Sequence, residues 1–281
     1  MSSRAADIGF VILSHSSDAP LSRLVATLNR RYGHPPIVIH HDYSQCGLPT
    51  GMPENSSNVL VVKPHLKTRW AHVSIVDAFL FALEVLYERY APAWFYLLSA
   101  ACYPVKNPQE VVAELFGSPF DVYLNAGKVS ELSDAVGLIN GCPAKEWLES
   151  VYYRRYAVGA PDSPYSQDYP CYAGSQWLTA NAKAARILIS SRRENNDLFY
   201  HYVKSPTPDE SYCHTVLCNR HELRVCDDNK RYVDWSLVED HPKELFTEDL
   251  GKILKSGCHF ARKMNALKSS ALMDSLDVFN S

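Results

Sequence analysis

The 281-residue chain has no apolar run near the roughly 20 residues a bilayer-crossing helix requires; Trp94 to Leu98 and Val59 to Val62 are typical of its longest. It has no block of like charge either. With 28 Lys+Arg against 31 Asp+Glu and a net charge of -3, duplex nucleic acid is not an expected partner. None of its 8 Cys forms a Cys-x-x-Cys pair, which argues against a disulfide framework or a zinc ribbon. The absence of Gly-x-Gly-x-x-Gly and Gly-Lys-Ser/Thr loops disfavours dinucleotide sites and P-loop chemistry. No Asp-x-Asp stands at a strand end to hold a divalent ion on a nucleotide diphosphate. The stretch Met1 to Ala6 followed by Ile8 to Leu13 is too short in apolar residues, and too poor in a small-residue cleavage site, for a signal peptide. The expected location is the cytoplasm, with at most peripheral attachment to the inner face of the membrane.

What is present is globular: 46% hydrophobic, 21% charged and 11% aromatic residues are enough to build a sizeable core without staples. Short β-branched runs alternate with helical periodicity, the pattern of βαβ units and a largely parallel sheet. Strands are expected at Ile8 to Leu13, Ile37 to His40, Asn58 to Val62, Trp94 to Leu98 and Asp121 to Asn125. Leu21, Leu24, Val25, Leu28 and Tyr32 mark a helix over 20–32, and a long helix covers about 71–90. Further helices are expected after Pro108, as two segments within 180–203, near Pro208 and, last, over 248–256. Two more strands are expected at Glu222 to Cys226 and Arg231 to Trp235. The aromatic segment through Trp147, Tyr152, Tyr153 and Tyr156 to Tyr172 reads as a loop-rich site lining. No repeat or linker splits the chain, which is read as one domain over 1–281.

Several clusters could carry chemistry. In Ser205-Pro206-Thr207-Pro208-Asp209-Glu210, Thr207 as N-cap, Pro208 at the first helical position and Glu210 make a capping box, with Glu210 bound to the Thr207 amide. The functional alternative is a carboxylate held rigidly at a helix start as a general base. His241-Pro242-Lys243 and His259-Phe260-Ala261-Arg262-Lys263 form a cationic set that could stabilise a departing diphosphate, or else a solvated basic rim. His40-His41-Asp42 ends the second strand, where a nucleotide would sit, and Ser14-His15 follows the first. Cys213, His214, Cys218, His221 and Cys226 supply soft metal ligands, but at no zinc spacing; the plainer reading is a buried helix face followed by a strand. Asp227-Asp228 reads as a turn.

Four motifs in order, Trp94-Phe95-Tyr96-Leu97-Leu98-Ser99-Ala100-Ala101-Cys102-Tyr103-Pro104-Val105-Lys106, Gly174-Ser175-Gln176-Trp177, Pro208-Asp209-Glu210-Ser211 and Phe260-Ala261-Arg262-Lys263, resemble the core-2/I-branching glycosyltransferases. That family includes β-1,6-N-acetylglucosaminyltransferases and peptide O-xylosyltransferases. The resemblance implies an α/β fold of the GT-A type, Rossmann-like and nucleotide-sugar-binding, with a mostly parallel central sheet flanked by helices. It also implies inverting transfer from a UDP-sugar without a metal or other cofactor. By position, Glu210 matches the catalytic base and Lys263 the lysine on the donor diphosphate. The family's partner arginine is replaced by His241 and Lys243, either of which could serve. The same resemblance assigns Ser14, His15, His40, Asp42, Trp70, Ser99, Cys102 and Arg262 to the donor, and Glu131, Arg155, Gly174, Ser175, Gln176, Trp177 and Asp209 to the acceptor. It divides the chain into a UDP-binding half (1–125), an acceptor-binding and catalytic half (126–265) and a tail (266–281). Cys102 departs from the family's acidic residue, and a neutral thiol cannot make a charged hydrogen bond to a donor hydroxyl. The donor expected is N-acetylglucosamine, with xylose as the alternative. The expected acceptor is a glycan or glycolipid of surface-polysaccharide synthesis, and the rival reading is a relative that binds without turnover.

Overall fold

The computed structural model describes residues 4–52, 56–131, 151–153, 156–159, 164–205, 207–236 and 241–279, with the backbone alone for 151–153 and 156–159. The fold is α/β, with a mostly parallel central sheet flanked by helices, as the alternating pattern implies. Contacts divide the chain into two compact units: Met1–Lys67, Ala82–Pro119 and Lys230–Ser281 form the first, Thr68–Phe81 and Phe120–Asn229 the second.

In the first unit, β1 (Ile8–Ser14) pairs in parallel with β2 (Ile37–His41) and with β4 (Trp94–Ser99), and β2 pairs in parallel with β3 (Val59–Val61). β1 and β2 are buried along almost their whole length, which is why they read as continuous apolar runs rather than alternating ones. Helix α1 (Leu21–Tyr32) buries the predicted stripe and stops at Gly33, whose left-handed φ of 68° suits a residue without Cβ. Helix α2 (Ser74–Arg89) carries residues of both units. Helix α3 (Pro108–Phe116) starts where Asn107 accepts from the Gln109 amide at 2.9 Å.

Three strands outside the parallel set complete this unit: β5 (Tyr103–Pro104), β13 (Arg231–Val233) and β14 (Phe260–Arg262), strands being numbered along the chain. Aromatic packing joins them to the main sheet. Phe10 stacks on Tyr96 at 5.5 Å and meets Phe260 edge-on at 6.1 Å, and the buried Arg231 guanidinium lies over Tyr96 at 4.9 Å. His259, expected in a basic rim, is instead fully buried. The Tyr96 hydroxyl donates to its Nδ1 at 2.6 Å, and its Nε2 faces Glu114 at 3.0 Å. Glu114 also receives Lys106 and Lys230, and with His259 they hold its carboxyl far below the usual range.

The second unit contains β6 (Val122–Leu124), flanked by the parallel β12 (Val225–Cys226) and the antiparallel β11 (Leu178–Asn181). β7 (Gly127–Lys128) pairs with β10 (Tyr172–Ala173), and β8 (Val151–Tyr153) with β9 (Tyr156–Gly159), both antiparallel. The expected aromatic loop thus includes a hairpin over Tyr152, Tyr153 and Tyr156; Trp147 lies outside the described residues. Helices α4 (Ala182–Glu194), α5 (Asn196–Lys204) and α6 (Tyr212–Cys218) follow. A helix start at Ala180 was expected. The chain stays extended to Asn181 because that side chain caps α4, accepting from the Lys183 and Ala184 amides at 3.0 and 3.1 Å.

The helix expected last, over 248–256, is a 3-10 turn (Thr247–Asp249) leading into α7 (Leu250–Lys255), and it is not the last. Ser270–Phe279 forms α8, which buries Leu272, Met273 and Leu276. Asp277 receives Arg23, Arg30 and Arg31 of α1, each at 2.9 Å, and the Tyr103 hydroxyl at 2.9 Å. Burial would raise its pKa, but those donors and charges outweigh burial and lower it. A carboxylate depressed in the folded state contributes stability above its unfolded pKa and loses it as pH falls through the folded value. Asp277→Asn is therefore expected to lower urea stability by about 2 kcal/mol at pH 7. In urea titrations the difference from the parent should shrink as the pH is taken down through the acid range.

Candidate active site

In the first unit the parallel register brings one polar set together. Ser14 lies opposite His41, and Leu13 lies opposite both His40 and Ser99, so the carboxyl ends of β1, β2 and β4 share one edge. This is the edge where open α/β sheets receive ligands. The Asp42 amide donates to the Ser14 carbonyl at 2.8 Å, and its buried carboxylate accepts from the Ser44 amide, the Ser44 hydroxyl and Gln45 at 2.9, 2.6 and 3.0 Å. His41, which the motif reading passed over, anchors the same loop. Its Nε2 faces the Cys46 carbonyl at 2.9 Å and so carries the proton, leaving Nδ1 to accept from Ser14 Oγ at 3.1 Å. His40 is buried, its Nε2 accepting from the Leu66 amide at 2.9 Å, and burial foremost lowers its pKa.

His15 is exposed at the edge. Its pKa is lowered chiefly by desolvation; Asp42 opposes this, while His41 and Lys263 add to it, which sets Lys263 in the same electrostatic neighbourhood. The Met264 amide donates to the Ala101 carbonyl at 2.9 Å and the Ala266 amide to Asp18 at 2.7 Å, which ties the segment after β14 to the loops after β4 and β1. Cys102 is buried, its thiol 3.4 Å from Ser99 Oγ, and it lies beside the buried Arg262 guanidinium, whose pKa falls chiefly through desolvation. Of the two substitutes for the family arginine, Lys243 is engaged by Asp249 at 2.9 and 3.1 Å, and His241 is exposed, its Nδ1 3.3 Å from the Pro242 carbonyl. Among the described residues the Lys263 amine has no ion pair or hydrogen bond, so it is the cation of this set left for a ligand.

In the second unit Trp70 is 82% exposed, and Glu131 is exposed and pairs with Lys128 at 3.4 Å. Arg155 lies outside the described residues. The others converge. Pro208–Glu210 is one 3-10 turn, entered through Thr207 at φ 37° and ψ 55°, a left-handed conformation that a β-branched residue rarely takes. The capping box is not formed: Thr207 makes no side-chain cap, its hydroxyl is buried without a partner among the described residues, and the Glu210 amide instead donates to the Thr207 carbonyl at 3.0 Å. Among the described residues the Glu210 carboxylate has no hydrogen bond or ion pair; the residue is exposed at the surface, yet surrounding protein partly desolvates its carboxyl. That desolvation, with the Asp209 charge adding, raises its pKa to about 7. Asp209 is itself raised to about 6 by burial, and its Oδ1 has no partner.

The Gly-Ser-Gln-Trp motif packs directly on this turn. The Gly174 amide donates to the Glu210 carbonyl at 2.8 Å. A Cβ on Gly174 would lie 1.9 Å from the Asn125 carbonyl oxygen, so only glycine permits the approach. His214, neutral at a burial-lowered pKa of about 4, donates from Nε2 to the Ser175 carbonyl at 2.9 Å, and Trp177 is buried beyond the half-buried Gln176. Asp227, read only as a turn residue, also accepts from the Ala126 amide at 3.1 Å and so braces the link between β6 and β7 that Gly174 meets. Among the described residues no three His, Cys, Asp or Glu side chains gather as a metal site, and Cys213 and His214 are buried on α6.

The second unit thus holds a carboxyl, Glu210, with its pKa raised to about 7, and the first holds Lys263, which has no ion pair among the described residues. The chain belongs to the Core-2/I-Branching enzyme family, whose family model matches residues 8–254, short of the Phe260–Lys263 motif. This is a family of glycosyltransferases, which implies a nucleotide-sugar donor and a glycan acceptor. No curated protein sequence matches the chain. Among solved structures it is similar to a protein from STIV (13% identity, TM-score 0.28, covering 64% of this chain and 66% of that one). It is also similar to 4-diphosphocytidyl-2C-methyl-D-erythritol synthase from Anaerococcus prevotii (10% identity, TM-score 0.36, covering 67% and 78%). Likenesses at these TM-scores bear on nothing further. No helix among the described residues is long and apolar enough to cross a membrane.

A carboxyl whose folded pKa is raised destabilises the fold once pH exceeds its unfolded value, and the penalty is complete above the folded one. Glu210→Gln is thus expected to raise the thermal midpoint at pH 8 and to leave it unchanged at pH 4, as differential scanning fluorimetry at both values would show.

Proposed function

We propose that this chain is an inverting, metal-independent glycosyltransferase that moves a sugar, N-acetylglucosamine in the first instance, from a UDP-sugar to a hydroxyl of a glycan or glycolipid acceptor in surface-polysaccharide synthesis. The observation that carries this is Glu210: an unpaired carboxylate on a strained one-turn helix, with its pKa raised to about 7. A general base works best when its pKa lies near the working pH, and desolvation with a like charge supplies that shift.

In the proposed reaction the acceptor hydroxyl gives its proton to Glu210 as its oxygen attacks the anomeric carbon. The bond from that carbon to the diphosphate oxygen breaks, UDP leaves with the electron pair, and the configuration inverts. The first unit supplies donor recognition through the sheet edge at Ser14, His15, Asp42 and Ser99, and Lys263 stabilises the charge that grows on departing UDP. Lys263 is preferred to Lys243 because the Lys243 amine is engaged by Asp249. Asp209, Gly174, Ser175, Gln176 and Trp177 surround the base in the second unit and are assigned to the acceptor, with Glu131 and Arg155 as outer candidates. Cys102 leaves the donor sugar the least constrained part of the reading, and xylose is the alternative it admits.

Binding and turnover of UDP-N-acetylglucosamine, UDP-xylose, UDP-glucose and UDP-galactose, with and without EDTA, test the reading. Selective turnover that persists in EDTA is expected; dependence on manganese would overturn the metal-free mechanism, and no binding of any donor would favour the non-catalytic relative. Glu210→Gln should abolish turnover with UDP affinity retained. Lys263→Ala should lower turnover by about 10² to 10³, the scale of losing one charge-stabilising donor. With Glu210 near 7, the acid limb of the pH profile should fall below neutrality.

A further inference from the structure

The turn that carries Glu210 is held from behind by a set of buried hydroxyls packed against the Cys171 thiol, which lies 3.5 Å from Ser211 Oγ. Ser211 follows Glu210 directly, and its Oγ donates to the Tyr172 carbonyl at 2.7 Å. Thr215, one turn along α6, donates to the same carbonyl at 3.2 Å and accepts from the Tyr172 amide at 3.0 Å. The two hydroxyls thus satisfy both backbone groups of Tyr172, two residues before the Gly174 amide that grips the Glu210 carbonyl. Tyr202 of α5 closes the set, its hydroxyl 2.6 Å from Ser211 Oγ and 3.1 Å from Thr215 Oγ1. The Ser211 proton is already directed at Tyr172, so the Tyr202 O–H must be the donor to Ser211 across that short contact. Ser211, Thr215 and Tyr202 are all sealed from solvent. Nothing in the set is charged.

We infer that Tyr202 and Ser211 are positioning residues for the catalytic base: through the Tyr172–Gly174 segment and the Ser211 backbone they fix the turn that presents the Glu210 carboxylate to the acceptor hydroxyl. The inference rests on the assignment of Glu210 as base. Neither side chain touches substrate. Their effect is to hold a carboxylate that has no hydrogen bond of its own among the described residues, and whose desolvated setting depends on where the turn sits. Neutral groups suit the task, because a cation at the same place would stabilise the Glu210 anion and lower its basicity.

Tyr202→Phe keeps the ring and its packing and removes only the hydroxyl that meets Ser211 and Thr215. With Tyr202→Phe, and with Ser211→Ala as the second variant, kcat is expected to fall about 10- to 100-fold, the scale of a misplaced reacting group. KM for the donor and the affinity for UDP should stay within about twofold, since the donor set lies in the other unit. The acid limb of the pH profile should move down as the carboxylate gains solvent. Tyr212→Phe is the control: its hydroxyl, equally buried, meets Ser191 at 2.8 Å instead. That change should lower the thermal midpoint without moving kcat or the pH profile. If Tyr202→Phe and Ser211→Ala behave like this control, the two are ordinary core residues and the inference is overturned. If Glu210→Gln itself turns over normally, the base assignment fails, and that result is read independently of the Tyr202 variants.

Discussion

Strands that run parallel and in register must end together, and the first unit depends on that constraint. With Ser14 opposite His41, and Leu13 opposite both His40 and Ser99, three loops leave one edge of the sheet and carry His15, Asp42 and Cys102 with them. The hydrogen bonds of Asp42, His41 and His40 are spent on these loops, so their part is to shape the edge rather than to reach far from it. The free cation comes from elsewhere. Lys263 follows β14, whose place is set by Phe260 against Phe10 and Tyr96 and by the buried bonds of His259. A charge near the sheet edge is therefore positioned by an aromatic core, and Glu244, the carboxylate whose pKa Lys263 helps to lower, is already engaged by Lys268 and Asn265.

The second unit solves the opposite problem. The proposed base keeps its raised pKa only while nothing stabilises its anion, so the groups that fix it must be neutral. The Gly174 amide binds the Glu210 carbonyl rather than its carboxylate, the hydroxyls of Ser211, Thr215 and Tyr202 bind backbone or one another, and His214 is held neutral by burial. The charge that acts on Glu210 is that of Asp209, of like sign, which adds to the desolvation in raising its pKa. Charge pairing thus builds the first unit and is withheld around the base of the second.

Much of this was legible in the sequence, for reasons that can be named. The strands at 8–14, 37–41 and 94–99 are buried on both faces, so their apolar runs announce them, and the α1 stripe declares its period. The two-residue strands β5, β7, β10 and β12 were beyond periodicity, because two residues show no period at all. Helix α8 was read as a tail because its evidence is an interaction 250 positions away, between Asp277 and the arginines of α1. In the site, motif order found Glu210, Gly174 and Lys263. It could not find Tyr202, which a lone tyrosine in an amphipathic helix does not distinguish from core, nor the part His41 plays within the His40-His41-Asp42 cluster, since its bond to Ser14 is tertiary. The capping-box pattern at Thr207 misled for a physical reason: its hydroxyl is turned into the protein by the left-handed backbone at that residue.

The segment from Thr207 to Glu210 breaks local rules at three successive kinds of group. Thr207 takes a conformation that costs about 1 to 3 kcal/mol and, among the described residues, Asp209 leaves a buried oxygen without a partner and Glu210 keeps a partly desolvated carboxyl unpaired. Such conflicts persist only where the surroundings over-determine the backbone, and they cluster at functional sites. Here the surroundings are identifiable: the bonds from Ser211, Thr215 and Tyr202, at about 1 kcal/mol each, are of the same size as the Thr207 strain they oppose. A turn balanced this closely needs each of those bonds, which is why a hydroxyl far from any substrate can matter to the chemistry.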